Sequence, residues 1–225
     1  MTTNEWEATY SSGKHLNSWP WSDLVSQYFR YSKLLGQENL HPEVLELGSG
    51  VSGNYPFWRS IGSDYSGIEI SASAVALSIE RFPELKSRLQ TGDFSLLALM
   101  DKKFDIICDR ASVTHCANLK VRKVVLDSWK SLKKGGLYLG VDWFSKNHSD
   151  FESPSTYVDP NTRSDFMAGQ FVGIGQVHFV DRSEILDIFR DFEVLELNEK
   201  IVTSHYPNRA AHQFASWNIV ARKSI

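Results

Sequence analysis

The first residues whose types and spacing suggest chemistry lie between positions 44 and 53, which read Val-Leu-Glu-Leu-Gly-Ser-Gly-Val-Ser-Gly. An apolar run ends at Leu47, and Gly48, Ser49 and Gly50 then turn the chain with little side-chain bulk in the way. Such a turn lets backbone N–H groups approach a ligand where a helix begins. A plain strand-to-helix turn accounts for one glycine comfortably and for three less well, while the spacing alone also fits a dinucleotide fingerprint and is unspecific. Glu69 follows Gly50 by 19 residues and stands at the end of Tyr-Ser-Gly-Ile-Glu-Ile (65–70). It is either a solvated strand-end acid or a carboxylate accepting two ribose hydroxyls, and its place after the glycine turn favours the second. In Thr91-Gly92-Asp93-Phe94 the aspartate can accept from an adenine amino group while Phe94 packs on the ring; on its own, Asp93 is an ordinary turn residue. The run 108–115, Cys-Asp-Arg-Ala-Ser-Val-Thr-His, ends a strand at Asp109-Arg110 before a loop, the position where open α/β sheets bind ligands.

A second tier of residues could receive or activate a reactant. His115 is a candidate base or ligand, its alternative being a ring bonded to loop backbone. His205, Tyr206, Arg209 and His212 fall in a stretch (204–213) read as a long loop, with Arg209 suited to a carboxylate or phosphate. Their preferred reading is as surface residues of a strand connection, the more common fate of long loops. Tyr10, Trp19 and Trp21 either cap a ligand or anchor an N-terminal arm, and the anchor reading is preferred for Trp21. Residues 167–179, with His178, form either a lid or extra packing on the sheet, the packing being preferred. Asp109, Asp142 and His148 match no compact ligand spacing, so no metal is expected.

The elements that must hold these residues follow from periodicity. Apolar runs at 44–47, 65–70, 104–109, 137–143, 194–197 and 214–222 read as strands. Amphipathic stretches at 22–35, 71–81, 118–132 and 181–189 read as helices, with Ser22, Ser71 and Asp181 as caps and Gly36 and Gly135-Gly136 beyond the ends. Residues 145–178 read as irregular. The alternation predicts a single α/β domain around a parallel sheet. Composition agrees: 225 residues, 42% hydrophobic, 23% charged and a net charge of −3 describe one globular domain with a sizeable core. No cationic stripe suggests nucleic acid, and no apolar run approaches the roughly 18 residues of a membrane span. The acidic, polar start is unlike a signal peptide. Two cysteines, one of them in a strand-like run, suit a reduced compartment. The expected location is the cytoplasm.

Taken in order, ELGSG, IE, GDF, FDIICDRASVTH and LKKGGLYLGVDW resemble the class I S-adenosylmethionine-dependent methyltransferases over roughly residues 40–145. The resemblance implies a Rossmann-like seven-stranded, mostly parallel sheet with the last strand antiparallel and helices on both faces. It divides the chain into an N-terminal helical arm (1–40), a cofactor-binding half (41–145) and an acceptor-side half (146–225). It implies that Glu46, Gly48, Ser49 and Gly50 meet the methionine part of S-adenosylmethionine. Glu69 with Ile70 would take the ribose, Asp93 and Phe94 the adenine, and Asp109 with Arg110 would lie near the sulfonium. Beside the resemblance, the residues' own chemistry makes His115 the expected catalytic base and Trp19, His178, His205, Tyr206 and Arg209 the expected contacts of a small soluble acceptor. The Asn/Asp-Pro-Pro-aromatic run of amine-modifying branches is replaced here by Asp109-Arg110-Ala111-Ser112, which weakens a nucleobase reading. The run 13–21, Gly-Lys-His-Leu-Asn-Ser-Trp-Pro-Trp, is loosely similar to small methyltransferases of surface-polysaccharide and modified-sugar gene clusters, so a sugar derivative methylated at oxygen or nitrogen is the expected acceptor. The chain is expected to act as a monomer or homodimer. A nicotinamide-dependent oxidoreductase and a non-catalytic cofactor-binding module remain the alternatives. Glu46 before the glycines, the GDF segment and the lack of a Tyr-x-x-x-Lys pair speak against the oxidoreductase.

Overall fold

The computed structural model describes residues 3–36 and 41–224. Residues 1–2 and 37–40 of the expected arm lie outside that description, as do the side chains of Thr3, Asn4 and Arg209. Two helices, α1 (Thr3–Ser11) and α2 (Ser22–Tyr31), precede β1 (Glu43–Leu47), α3 (Tyr55–Ser60) and β2 (Asp64–Glu69). There follow α4 (Ala72–Arg81), β3 (Leu89–Thr91), β4 (Phe104–Arg110), α5 (Asn118–Ser131) and β5 (Leu132–Phe144). The last third holds β6 (Thr156–Asp159), β7 (Thr162–Ser164), β8 (Val177–His178), α6 (Arg182–Ile188), β9 (Glu193–Tyr206) and β10 (Arg209–Arg222).

Seven strands form one sheet in the order β3-β2-β1-β4-β5-β10-β9. Pairs from β3 to β5 are parallel, and β10 runs antiparallel to both β5 and β9. This is the sheet the sequence implies. The central strands carry apolar residues on both faces because helices cover both sides. Leu45, Leu47 and Ile107 join one cluster with α5 and α6, whereas Val44, Ile106 and Cys108 join another with α2 and α3. Chain order reverses between β1 and β4, which opens a crevice at their carboxyl ends.

Local chemistry sets several boundaries. Ser71 accepts from the Ala74 amide and starts α4; Asp181 accepts from the Glu184 amide and starts α6. Ser22 does not cap α2: Trp21 takes the cap position without a side-chain bond, and the helix is held instead by its buried face. There Gln27 donates to the carbonyls of Gly140 and Ile219, both at 3.3 Å, beside the register shift between Trp217 and Ile219. Leu132, expected to end α5, is already extended and begins β5.

Two further expectations fail. Residues 204–213 are not a long loop, since β9 and β10 continue as a hairpin with Ser204 opposite His212 and Tyr206 opposite Arg209. Here the ribbon is largely exposed on both faces, so its strands lack the inside–outside alternation that marks a half-buried sheet. The stretch 145–178 contains a three-stranded sheet, β6-β7-β8, over a third apolar cluster of Phe144, Phe166, Phe171, Val177 and Phe179. Its strands are two to four residues long, too short for periodicity to register.

Candidate functional site

A cavity of about 590 Å³ opens at the carboxyl ends of β1, β2 and β4. Its floor is the glycine turn. Gly48 adopts φ +69°, and a Cβ there would stand 2.3 Å from the Ser112 Cβ, because the loop after β4 crosses directly over it. The Ser112 hydroxyl donates to the Leu47 carbonyl and ties the two loops together. Gly50 adopts φ +54°, with the Tyr10 hydroxyl 2.6 Å from where its Cβ would be. Both conformations strongly favour glycine. Gly48→Ala is therefore expected to destabilise the fold by about 3 kcal/mol, from left-handed strain plus overpacking. Chemical denaturation checks this, and an unchanged midpoint would show that Ser112 yields freely.

The carboxylates around this floor differ in state. Glu69, 4% exposed, accepts from the Gly50 amide (2.8 Å) through one oxygen and from the Ser71 amide (2.9 Å) through the other. Each oxygen keeps a second lone-pair direction, and the residue lines the cavity. Burial raises its pKa against these bonds. Glu46 accepts from Asn54 Nδ2 (2.7 Å) and the Tyr65 hydroxyl (2.8 Å), and burial pushes its pKa up to about 7. Asp93 lines the cavity with both oxygens already engaged, by the Ser95 amide at 2.7 Å and Lys120 Nζ at 2.6 Å. Lys120 first of all holds its pKa well below the carboxylate range. Ile70 and Phe94 line the cavity as well.

Asp109 is placed otherwise. It is 1% exposed, does not line the cavity, and accepts from Tyr138, Trp143, Ser112 and Val113. Its carboxylate organises the core under the site. Its neighbour Arg110 does face the cavity, stacked 3.7 Å over the Trp21 ring and paired with Asp142 at 3.2 Å.

His115 lies in the cavity wall at 5% exposure. Its Nδ1 is 3.0 Å from the Gln176 carbonyl. A carbonyl only accepts, so Nδ1 carries the proton and Nε2 keeps its lone pair. Burial lowers the ring's pKa to about 4, so the ring is neutral at physiological pH. Trp6 and Phe144 stand edge-on to it at 5.0 and 5.7 Å.

The other expected acceptor residues lie elsewhere. Trp19 is 76% exposed, His178 is fully buried against Thr162 in β8, and His205 and Tyr206 sit on the β9–β10 hairpin; none lines the cavity. The Arg209 side chain is outside the described residues. Sequence reading did not single out several other groups that line the cavity: Trp6, Asn17, Phe171, Ile174 and Phe214. Only the apolar character of 167–179 hinted at this wall. Tyr10 and Trp21 roof the cavity as well as anchor the arm, and Glu7 fastens α1 by accepting from the Ser71 hydroxyl at 2.7 Å.

Comparison with known proteins agrees with this arrangement. Residues 45–140 match the family model described as a methyltransferase domain. Comparison with curated proteins finds no match. Among solved structures, the chain is similar to TehB from Haemophilus influenzae, with 19% identity, a TM-score of 0.65, and 97% of this chain and 67% of that one covered. It is similar to a SAM-dependent methyltransferase from Methanosarcina mazei, with 18% identity and a TM-score of 0.63, over 83% of this chain and 94% of the other. It is also similar to CalS10, an amino pentose methyltransferase from Micromonospora echinaspora, with 17% identity and a TM-score of 0.58, over 97% and 96% of the two chains. At these identities the structures establish the fold. The chain has the fold of the class I S-adenosylmethionine-dependent methyltransferases, and residues 45–140 within it are similar to a methyltransferase domain.

Proposed function

We propose that this chain is an S-adenosylmethionine-dependent methyltransferase that transfers the methyl group to oxygen or nitrogen of a small acceptor with a face that stacks on aromatic rings, a sugar derivative being the favoured class. The observation that carries the reading is one continuous cavity. It joins the Gly48–Gly50 turn and Glu69 at one end to a neutral His115 among aromatic rings at the other. A volume of about 590 Å³ falls within the range of pockets that enclose small ligands. The likeness to an amino pentose methyltransferase supports a sugar derivative.

In this reading the amino-acid end of the cofactor lies on Gly48, Ser49 and Gly50 with its ammonium toward Glu46. Glu69 holds the ribose hydroxyls, with Ile70 alongside. Phe94 and Asp93 border the adenine, and Arg110 lies toward the reacting centre. Bound S-adenosylmethionine supplies an electrophilic methyl on a sulfonium. The protein contributes alignment of acceptor and methyl, which accounts for much of the rate in such displacements. It also provides an unprotonated Nε2 on His115 to take the acceptor's proton.

Glu46 gives this arrangement a pH signature. Its pKa is raised from 4.5 to about 7, so the ligand-free fold loses stability as pH rises through that window, where burial resists ionisation. A cofactor ammonium favours the ionised carboxylate, so affinity for S-adenosylhomocysteine is expected to rise about tenfold from pH 6 to pH 8. Titrations at several pH values check this, and Glu46→Gln should flatten the profile. The proposed reaction is tested with methyl-labelled cofactor and a panel of small amino- and hydroxy-sugars and phenols, scored by label in the acceptor. Label appearing on sugars supports the reading; label confined to phenols would reject the sugar class, and none on any acceptor would reject transfer.

A further inference from the structure

Behind the aromatic wall of the cavity lies a cluster that plays no part in the mechanism above. His148, Asp150 and His212 each offer one ligand atom, all within 4.8 Å of one another. His148 and Asp150 are each 2% exposed. They belong to the turn after β5, while His212 comes from β10, some 60 residues later. The placement is built rather than incidental. Asp150 accepts from the Gln170 amide at 2.7 Å and stands 3.3 Å from His212 Nε2. Its carboxylate presses on Gly169, at φ +91°, where any Cβ would fall within 2.4 Å of it.

Two features of this cluster leave room for a ligand. Nε2 of His148 is buried and makes no hydrogen bond of good geometry, the Gln170 side chain being the polar group that acts weakly on the ring. Nδ1 of that ring accepts the Asp150 amide at 3.0 Å, so the neutral ring carries its proton on Nε2. Burying a donor so weakly satisfied is costly. In addition, a buried carboxylate needs compensation, and the ion-pair partner of Asp150 among the described residues is the partly exposed His212 ring, which carries a charge only when protonated.

We propose that His148, Asp150 and His212 form a divalent transition-metal site that clamps the acceptor wall. Two imidazoles and one carboxylate make a borderline donor set that suits zinc and its neighbours and leaves positions for water. Coordination through Nε2 moves the His148 proton to Nδ1 and breaks the hydrogen bond from the Asp150 amide, so the 148–150 turn must shift to part the two facing N–H groups as the ion binds. A metal–imidazole bond outweighs that loss, and the metal supplies the charge that Asp150 lacks. The ion would join the 148–150 turn to β10. Through the Gln170 amide it would also fix the segment carrying Phe171 and Ile174, both in the cavity wall. His148 packs directly on Phe171 and Phe214, with ring centres 5.0 and 5.4 Å apart. The sequence argued against a metal because His148 was weighed with Asp109 and Asp142; its partners are Asp150 and His212.

The test uses the untagged full chain, dialysed against chelator and titrated calorimetrically with zinc chloride. Cobalt(II) absorption reports the ligand field in parallel. One zinc per chain at micromolar affinity or tighter is expected, at least tenfold weaker in His148→Ala and in His212→Asn. Retained S-adenosylhomocysteine binding shows that the variants are folded. The half-exposed position of His212 makes its variant a safe second measurement should His148→Ala unfold. Zinc binding equally strong in wild type and both variants, or requiring millimolar metal in wild type, would overturn the site.

Discussion

Glu69→Ala is expected to weaken S-adenosylhomocysteine binding by at least about 100-fold while the protein stays folded. The carboxylate is the point where the glycine turn, the start of α4 and the cavity meet. Its two oxygens are held by the Gly50 and Ser71 amides and so have no freedom to turn away from a ligand. A hydrogen bond to a charged acceptor contributes about 1.5–3 kcal/mol, and two ribose hydroxyls on such a preorganised carboxylate correspond to about 3 kcal/mol or more. Glu69→Gln keeps the shape but replaces one acceptor by a donor that faces an amide N–H, so it too should bind poorly. Calorimetric titration distinguishes the outcomes. Binding within threefold of wild type would place the ribose elsewhere.

His115→Ala is expected to lower kcat by about 10³, within the range for loss of a positioned base, and to leave S-adenosylhomocysteine affinity nearly unchanged. The Gln176 carbonyl fixes the ring's tautomer, and burial keeps the ring neutral with a pKa of about 4. A weak base is sufficient here, because the acceptor proton becomes strongly acidic only as the methyl–oxygen bond forms. The His115-dependent part of the rate should therefore be level from about pH 6 upward and fall only toward pH 4. Stability falls on the same acid limb. A histidine whose pKa is depressed by burial contributes stability above its unfolded value of 6.5, and that stability is lost as pH falls through about 4. His115 and His178 both behave so, and acid titration of the unfolding midpoint should show the loss beginning below about pH 6.5. A kcat within threefold of wild type in His115→Ala would assign the ring to packing or an amine acceptor that loses its proton to water.

How far these sites are legible in the sequence depends on the kind of constraint. Gly48, Gly50 and Glu69 are readable because backbone geometry leaves few substitutes: positive φ under Ser112 and Tyr10, and an acceptor for two amides. The strands β1, β4 and β5 are readable because burial on both faces demands unbroken apolar runs. Asp109 illustrates the limit. A strand-end acid beside the crevice looks like a ligand contact, and only its depth among Tyr138, Trp143 and the Ser112 loop shows that the core consumes it. The aromatic wall of the cavity is harder still. Trp6 reaches the cavity from α1, Phe171 and Ile174 from a stretch between short strands, and Phe214 from β10. No local pattern connects them, whereas the histidines of 204–213 drew attention by residue type and belong to a hairpin edge. His148 and His212 meet Asp150 through the same long-range folding, which is invisible to spacing.

The central claim, that the crevice between β1 and β4 is an S-adenosylmethionine site, is tested most directly by titrating the wild-type chain with S-adenosylhomocysteine and, separately, with nicotinamide dinucleotides. The account predicts one site of about micromolar affinity, near −8 kcal/mol, for the first ligand and no measurable binding for the second. Silence toward S-adenosylhomocysteine together with tight binding of a nicotinamide dinucleotide would contradict it.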